Sequence, residues 1–308
     1  MSKVIGPYQT PMEPHPILVQ HARTIRFSHS DRTVFCFDAG GVARPAVLLV
    51  HGLGDEADTW RHVIPDLAQH YRVLAPDLPG FGRSEPLAGR YSLDALASTQ
   101  LELLDAVGVS QAVIAGHSLG AMLCHLLALR HPERVVGLAL ISGGLCSLRR
   151  KVDLQSLLFL IPGVGEWLYN RLRQDPHAAY ASLEPFYHDL GQLAPEERAF
   201  LFQRVNQRVW SDRQRRAFFS TLRSIAGTAG QFAALSSQVA GLAVPTVICW
   251  GEADRVNPVD NARALVQAQP AARLVTVPNA GHNLQQEAPQ EVVKAIAALA
   301  AIAYPVTE

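Results

Sequence analysis

Four apolar runs of strand length do most to restrict what this chain can fold into. They are Ala46–Val50, residues 112–115, Val135–Ile141 and residues 244–250. None shows the polar alternation of a half-exposed strand, so each suits a strand buried on both faces, as in a parallel sheet covered by helices. Segments with apolar residues at helical spacing separate them. The reading places further strands at 72–75 and 273–277, and helices at 59–70, 93–107, 119–130, 258–267 and 287–303. Alternating strands and helices imply one mostly parallel central sheet with helices on both faces. Residues 24–37 alternate around a turn at 29–32 and are expected to form a hairpin.

The alternation stops at Gly143-Gly144 and resumes near residue 239. Between them the sequence is mostly helical, broken at Pro162-Gly163, Pro176, Pro185 and Pro195. The expected organisation is an arm over 1–23, an α/β core over 24–144 and 239–308, and an inserted helical cap, or lid, over 145–238. At 308 residues the chain suits one core plus an insertion rather than two equal domains.

Composition removes several classes of function. Hydrophobic residues make up 48% and charged residues 18%, the balance of a globular protein rather than a disordered one. The formal net charge is zero, which points away from nucleic acid. No apolar run reaches membrane-spanning length, so no stable membrane insertion is expected. The first twenty residues hold several prolines and no continuous apolar core, so no signal peptide is read there. Cys36, Cys124, Cys146 and Cys249 show neither CxxC spacing nor a metal-ligand pattern with histidine. Reduced thiols and a cytoplasmic location are the expectation.

Gly116-His117-Ser118-Leu119-Gly120 lies where a strand ends and a helix begins. A serine at the tip of so sharp a turn presents its hydroxyl, and only small residues fit two positions to either side. That context makes Ser118 the candidate nucleophile. A serine hydroxyl needs a base. Of 12 histidines, His282 lies just after the last expected strand, on the sheet edge that also carries Ser118. Its orienting acid is expected to be Asp254, after the strand ending at 250, with Glu252 and Asp260 as rivals. An oxyanion would be met by the Leu53 N–H, in the glycine-rich His51-Gly52-Leu53-Gly54 turn, and by the Leu119 N–H at a helix start. Asp55 and Glu56 read as solvated surface charge.

This ordered set resembles the α/β-hydrolase superfamily. It comprises His51-Gly52, Asp77-Leu78-Pro79-Gly80-Phe81-Gly82-Arg83-Ser84, Gly116-x-Ser118-x-Gly120, Asp254 and His282. The resemblance runs from about residue 24 to the C-terminus and fades in the cap. It implies that Asp77, Arg83 and Ser84 are mainly architectural. A serine nucleophile disfavours haloalkane dehalogenases and epoxide hydrolases of the aspartate type. The His51-Gly52-Leu53-Gly54-Asp55 segment is closer to carboxylesterases and monoacylglycerol lipases.

The activity so implied is hydrolysis of small-molecule carboxylic esters of short-to-medium acyl chain, with no metal or organic cofactor. The same residues also suit a C–C bond hydrolase of ring-cleavage products, a lactonase or an acyltransferase. A catalytically idle ligand-binding scaffold is the remote alternative. Within the cap, Phe159, Trp167 and Tyr169 are candidates to line an acyl pocket, although core packing explains most apolar residues there. Arg149, Arg150, Arg171, Arg173, Arg213, Arg215 and Arg216 read as solvated helix faces, with a site for an acidic substrate as the alternative.

Overall fold

The fold is a computed structural model that describes residues 6–28, 30–145, 154–228 and 232–305. Cys146, Arg149, Arg150 and the other residues of 146–153, within the expected cap, lie outside the described residues.

One eight-stranded sheet organises the chain. Its strands are β1 (Ala22–Arg26), β2 (Thr33–Ala39), β3 (Ala46–Val50), β4 (Arg72–Pro76), β5 (Ala112–His117), β6 (Val135–Ile141), β7 (Thr246–Gly251) and β8 (Arg273–Val277). They lie in the order β1-β2-β4-β3-β5-β6-β7-β8. β1 and β2 form the expected hairpin and β2 runs antiparallel to β4; every other pairing is parallel. All residues of β3, β4, β5 and β7 are buried, as strands covered by helices on both faces must be. Pairing of Val50 with Gly116 brings the ends of β3 and β5 level, and pairing of Gly251 with Val277 does the same for β7 and β8. The loops that leave these four strands therefore share one edge.

The helices are α1 (Ile64–Leu67), α2 (Leu93–Ala106), α3 (Leu119–Arg130), α4 (Leu154–Leu160), α5 (Val164–Arg171), α6 (Pro176–Ala181), α7 (Pro195–Trp210), α8 (Asp212–Gly227), α9 (Phe232–Val239), α10 (Asp260–Ala268), α11 (Leu284–Glu287) and α12 (Pro289–Ala303). α2 starts where the Ser92 side chain accepts the Ala95 N–H at 3.1 Å. α3 is buried from Leu119 to Ala128, so it lies within the core, with His125 its one buried polar side chain. α4 to α9 form a helical insertion between β6 and β7.

Two helical expectations are corrected. Residues 59–70 are a 3₁₀ turn, Ala57–Trp60, followed by the single turn α1. The helix expected over 287–303 is α11 and α12, separated before Pro289, whose ring and missing N–H prevent a continuous hydrogen-bond ladder.

The N-terminal residues from 6 onward are pinned to α7. Gln207 Nε2 donates to Thr10 Oγ1 at 2.9 Å and to the Pro11 carbonyl at 3.1 Å. Arg204 Nη2 donates to the Glu13 carbonyl at 2.6 Å. The His15 N–H then meets Asp58 Oδ1 at 2.6 Å, which ties the arm to the loop after β3.

Candidate active site

Ser118 stands between β5 and α3 with φ 53° and ψ −112°, a backbone conformation that L-residues rarely adopt. Surrounding contacts hold it there. The Ser118 N–H extends the sheet ladder to the Ile141 carbonyl at 2.9 Å, while the Ser118 carbonyl accepts the Ala121 N–H at 3.1 Å. A methyl group on Gly116 would collide with the Gly120 backbone, and one on Gly120 with the Val50 carbonyl. The two glycines are thus required by the close approach of strand and helix.

The loops after β7 and β8 join beside this turn. The Glu252 N–H bonds the Val277 carbonyl at 2.9 Å, and the Ala253 N–H bonds the Ala280 carbonyl at 3.0 Å. Asp254 Oδ2 lies 2.8 Å from His282 Nδ1. Its other oxygen accepts the Val256 and Asn257 N–H groups at 2.8 and 2.7 Å. Because the carboxylate only accepts, His282 Nδ1 carries the proton and Nε2 keeps its lone pair, the form a general base needs. Both side chains are buried. The rivals lie elsewhere: Glu252 is exposed and accepts from Thr276, and Asp260 is exposed at the start of α10, paired with Arg263.

His117 couples the two halves of the site. Its Nε2 donates to the His282 carbonyl at 3.0 Å, and the two rings stand 4.9 Å apart. Burial, and next the neighbouring His282, push its pKa down to about 3. It therefore remains neutral and braces the loop of His282 without competing for protons. The sequence does not set His117 apart from the other histidines. Its only signal is its position inside the Gly-x-Ser-x-Gly motif.

On the other side, His51 shapes the turn after β3. Its Nδ1 donates to the Gly52 carbonyl at 2.8 Å, and its Nε2 accepts the Leu78 N–H at 2.8 Å. The Asp55 N–H also bonds the Gly52 carbonyl, at 3.3 Å. In a trans peptide the N–H opposes the preceding carbonyl, so anchoring Gly52 C=O fixes the direction of the Leu53 N–H. A Cβ on Gly52 would sit 3.3 Å from Ser118 Cβ, so this turn borders the serine. Leu119 is the first residue of α3, where backbone N–H groups have no intrahelical acceptor. Both expected oxyanion donors thus come from backbone next to Ser118.

The solvated reading of Asp55 and Glu56 is corrected. Asp55 is 9% exposed and Glu56 fully buried, because arginines of the insertion reach them. Arg208 Nε binds Glu56 Oε2 at 2.6 Å, and its Nη2 binds Asp55. Arg204 Nε lies 3.2 Å from Glu56 Oε1. Burial is the largest single influence on Asp55 and raises its pKa, but Arg208, His51 and the Thr59 hydroxyl together outweigh it and hold the carboxyl below its ordinary value. For Glu56 burial wins and the pKa is raised. The buried layer continues through Arg83, which binds Asp77 and Asp58, and Arg61, which binds Glu197. Ser84 Oγ donates to the Asp77 carbonyl at 2.7 Å and accepts the Phe35 N–H at 2.9 Å. Asp77, Arg83 and Ser84 are thus structural.

The three expected pocket residues separate. Tyr169 packs against Phe218 and Phe219, with ring centroids 5.7 and 5.8 Å away. Phe218 in turn lies beside Gly54 of the turn after β3. Phe159 stacks on Phe219 at 6.0 Å. Trp167 is corrected: it is 58% exposed with the Arg171 guanidinium over its ring, so it lines no enclosed pocket. Phe186, which the sequence did not single out, lies 5.8 Å from the His282 ring. Among the described residues no cluster of histidine, cysteine or acidic side chains suits a metal ion. Cys36, Cys124 and Cys249 are buried free thiols.

The family whose model matches this chain, over residues 45–289, is described as the alpha/beta hydrolase fold. The chain is 32% identical over 254 residues to the 2-hydroxy-6-oxononadienedioate/2-hydroxy-6-oxononatrienedioate hydrolase 2 of Pseudomonas putida, covering 80% of this chain and 84% of that one. The structure is similar to the 2-hydroxy-6-oxo-6-phenylhexa-2,4-dienoate hydrolase of Rhodococcus sp. strain RHA1. That match has TM-score 0.72 and 23% identity, over 92% of this chain and 98% of that one. It is also similar to a putative lipase from Acinetobacter baumannii, with TM-score 0.72 and 23% identity, over 92% of each chain.

Proposed function

The chain belongs to the alpha/beta hydrolase fold family, and on that footing we propose that it is a serine hydrolase cleaving carboxylic esters through an acyl-enzyme on Ser118. The observation that carries the reading is the Asp254–His282 hydrogen bond of 2.8 Å, on the sheet edge that presents the strained Ser118. In this mechanism Ser118 Oγ attacks the ester carbonyl while His282 Nε2 takes its proton. The Leu53 and Leu119 N–H groups receive the oxyanion. Collapse of the tetrahedral intermediate expels the alcohol, which takes the proton from His282. Water then attacks the acyl-enzyme by the same path and releases the acid.

A second reading, C–C bond hydrolysis, is favoured by the name of the Pseudomonas putida relative. Its substrate is a dioate and carries two carboxylates. Here the insertion arginines deepest in the fold, Arg204 and Arg208, already hold Asp55 and Glu56. Aromatic rings, Phe186 and Phe218, stand beside His282 and the oxyanion turn. That balance of charge supports a neutral ester over a dianion.

A panel of p-nitrophenyl esters from acetate to palmitate, run beside a vinylogous diketone, tests the choice. The expected result is ester turnover with a maximum at short-to-medium acyl chains, abolished about 10⁴- to 10⁶-fold in Ser118→Ala. Rapid diketone cleavage with negligible ester turnover would replace the ester reading by the C–C one. Wild-type turnover of esters in Ser118→Ala would overturn both.

A further inference from the structure

The α4–α5 hairpin has two unlike faces. Its inner face packs tightly: Phe159 stacks on Phe219, Tyr169 meets both Phe218 and Phe219, and a Cβ on Gly165 would sit 2.8 Å from the Phe219 ring. Its outer face shows the reverse. Leu157 (48% exposed), Ile161 (46%), Val164 (37%) and Trp167 (58%) present their side chains to water. Apart from these four, the large exposed apolar residues among the described ones lie scattered at Ile17, Val19, Val42 and Ile302. Single exposed apolar residues are ordinary, but four within one short hairpin mark a surface made to be covered. Core packing does not explain them, because the core lies on the opposite face.

Charge borders this patch asymmetrically. A cavity of about 370 Å³ beside the hairpin is lined by Arg90, Arg215, Arg216 and Arg223, with Glu166 and Phe219. Glu166 belongs to α5 and binds Arg223 at 2.7 and 2.8 Å. Arg171 adds its guanidinium over Trp167, 5.4 Å from the ring centroid. Arginines thus exceed carboxylates here, although the whole chain has no net charge. An apolar patch containing tryptophan, bordered by arginine, matches the interfacial zone of a bilayer: acyl chains accept the leucine, isoleucine and valine, and lipid phosphates accept the guanidinium groups.

We propose that the outer face of the α4–α5 hairpin, with the neighbouring arginine cavity, docks this protein on an anionic lipid surface. The contact is peripheral, because no helix among the described residues is long and apolar enough to cross a membrane. The proposal goes beyond the hydrolytic reading and does not depend on it.

Flotation with phosphatidylcholine vesicles, with and without phosphatidylglycerol, tests it. The full chain is expected to bind the anionic vesicles at least about ten-fold more tightly than the neutral ones. Ile161→Asp combined with Trp167→Ser should lose that binding, as should Arg90→Gln combined with Arg216→Gln. All four positions are on the surface, and both variants should turn over a soluble short-chain ester at the wild-type rate. Ser118→Ala should float like wild type, which separates docking from catalysis. Equal affinity for both vesicle types, no flotation, or full binding by the hairpin variant would each overturn the proposal. Concentration-dependent self-association that disappears in the Ile161→Asp variant would give the face to a second copy of this chain instead.

Discussion

Arg208 of α7 crosses from the helical insertion to the loop after β3, where its Nε binds Glu56 Oε2 at 2.6 Å and its Nη2 binds Asp55. This contact joins two regions far apart in the chain at a point three residues beyond Leu53. The same loop accepts the His15 N–H at Asp58, so the N-terminal arm, α7 and the turn after β3 form one connected unit. The insertion therefore does more than cover the site; it holds one side of it.

Removing the arginine should accordingly be severe. Arg208→Met leaves two buried carboxylates short of their partner, a type of change that costs about 3–5 kcal/mol. The lower end is expected, because Arg204 also approaches Glu56 at 3.2 Å. Urea denaturation measures this directly. Adding Asp55→Asn and Glu56→Gln to Arg208→Met should recover part of the loss. A loss under about 0.5 kcal/mol would show that the layer is not a structural clamp.

Asp254→Asn should keep the fold and lower kcat by about 10⁴-fold. The asparagine NH₂ would face His282 Nδ1 as a donor and favour the tautomer whose Nε2 is protonated, which cannot act as a base. Glu252→Gln and Asp260→Asn should stay near wild type, since both carboxylates are exposed and bond away from His282. Steady-state kinetics on the preferred ester decides. A large loss in either rival variant, with Asp254→Asn active, would move the acid elsewhere.

Ser118 offers a test on stability alone. Its φ of 53° with ψ −112° costs a non-glycine residue roughly 1–3 kcal/mol. Ser118→Gly removes that strain but frees the unfolded chain, which returns about 0.5–1 kcal/mol. Ser118→Ala keeps the strain. In thermal unfolding, Ser118→Gly should therefore be more stable than Ser118→Ala by about 1 kcal/mol. Equal midpoints would mean that the turn relaxes in solution.

The parts of this site that the sequence disclosed are those written locally. A continuous apolar run located β3, short apolar-rich stretches located β5, β6 and β7, and the Gly-x-Ser-x-Gly spacing located Ser118, because the steric demands fall on residues two positions away. Asp254 and His282 follow from lying after consecutive strands. Asp55 and Glu56 escaped because their partners are more than 145 residues distant, and nothing near them distinguishes a buried acid from a solvated one. Trp167 escaped for a related reason. Helical spacing identifies apolar faces, but a hairpin with two apolar faces hides which one turns inward. The helix expected over 59–70 failed locally: Asp58, Thr59 and Arg61 spend their polar groups on tertiary partners, which favours a tight turn over a regular ladder.

Acidification should destabilise the protein in a phase set by buried histidines. Burial pushes His125 down to about 4 and His117, also facing His282, down to about 3, from an ordinary 6.5. Above pH 6.5 both are neutral in the folded and unfolded chain and contribute no slope. As pH falls below 6.5 the unfolded chain takes up these protons and the folded chain does not, so stability falls with pH. Each histidine contributes at most about 1.4 kcal/mol per pH unit. The combined slope therefore approaches about 2.7 kcal/mol per unit between the unfolded value and about 4, below which His125 protonates in the fold and its share ends. Glu56, raised by burial, works the other way, because the folded form gains its proton first. Denaturant unfolding at pH 7, 6 and 5 reads the slope. His125→Gln should halve it while leaving stability at pH 7 open to the loss of the Leu145 N–H acceptor, 2.9 Å from His125 Nδ1 in the wild type. A slope that is flat from pH 6.5 to 5, or unchanged in His125→Gln, would show that these rings protonate without unfolding.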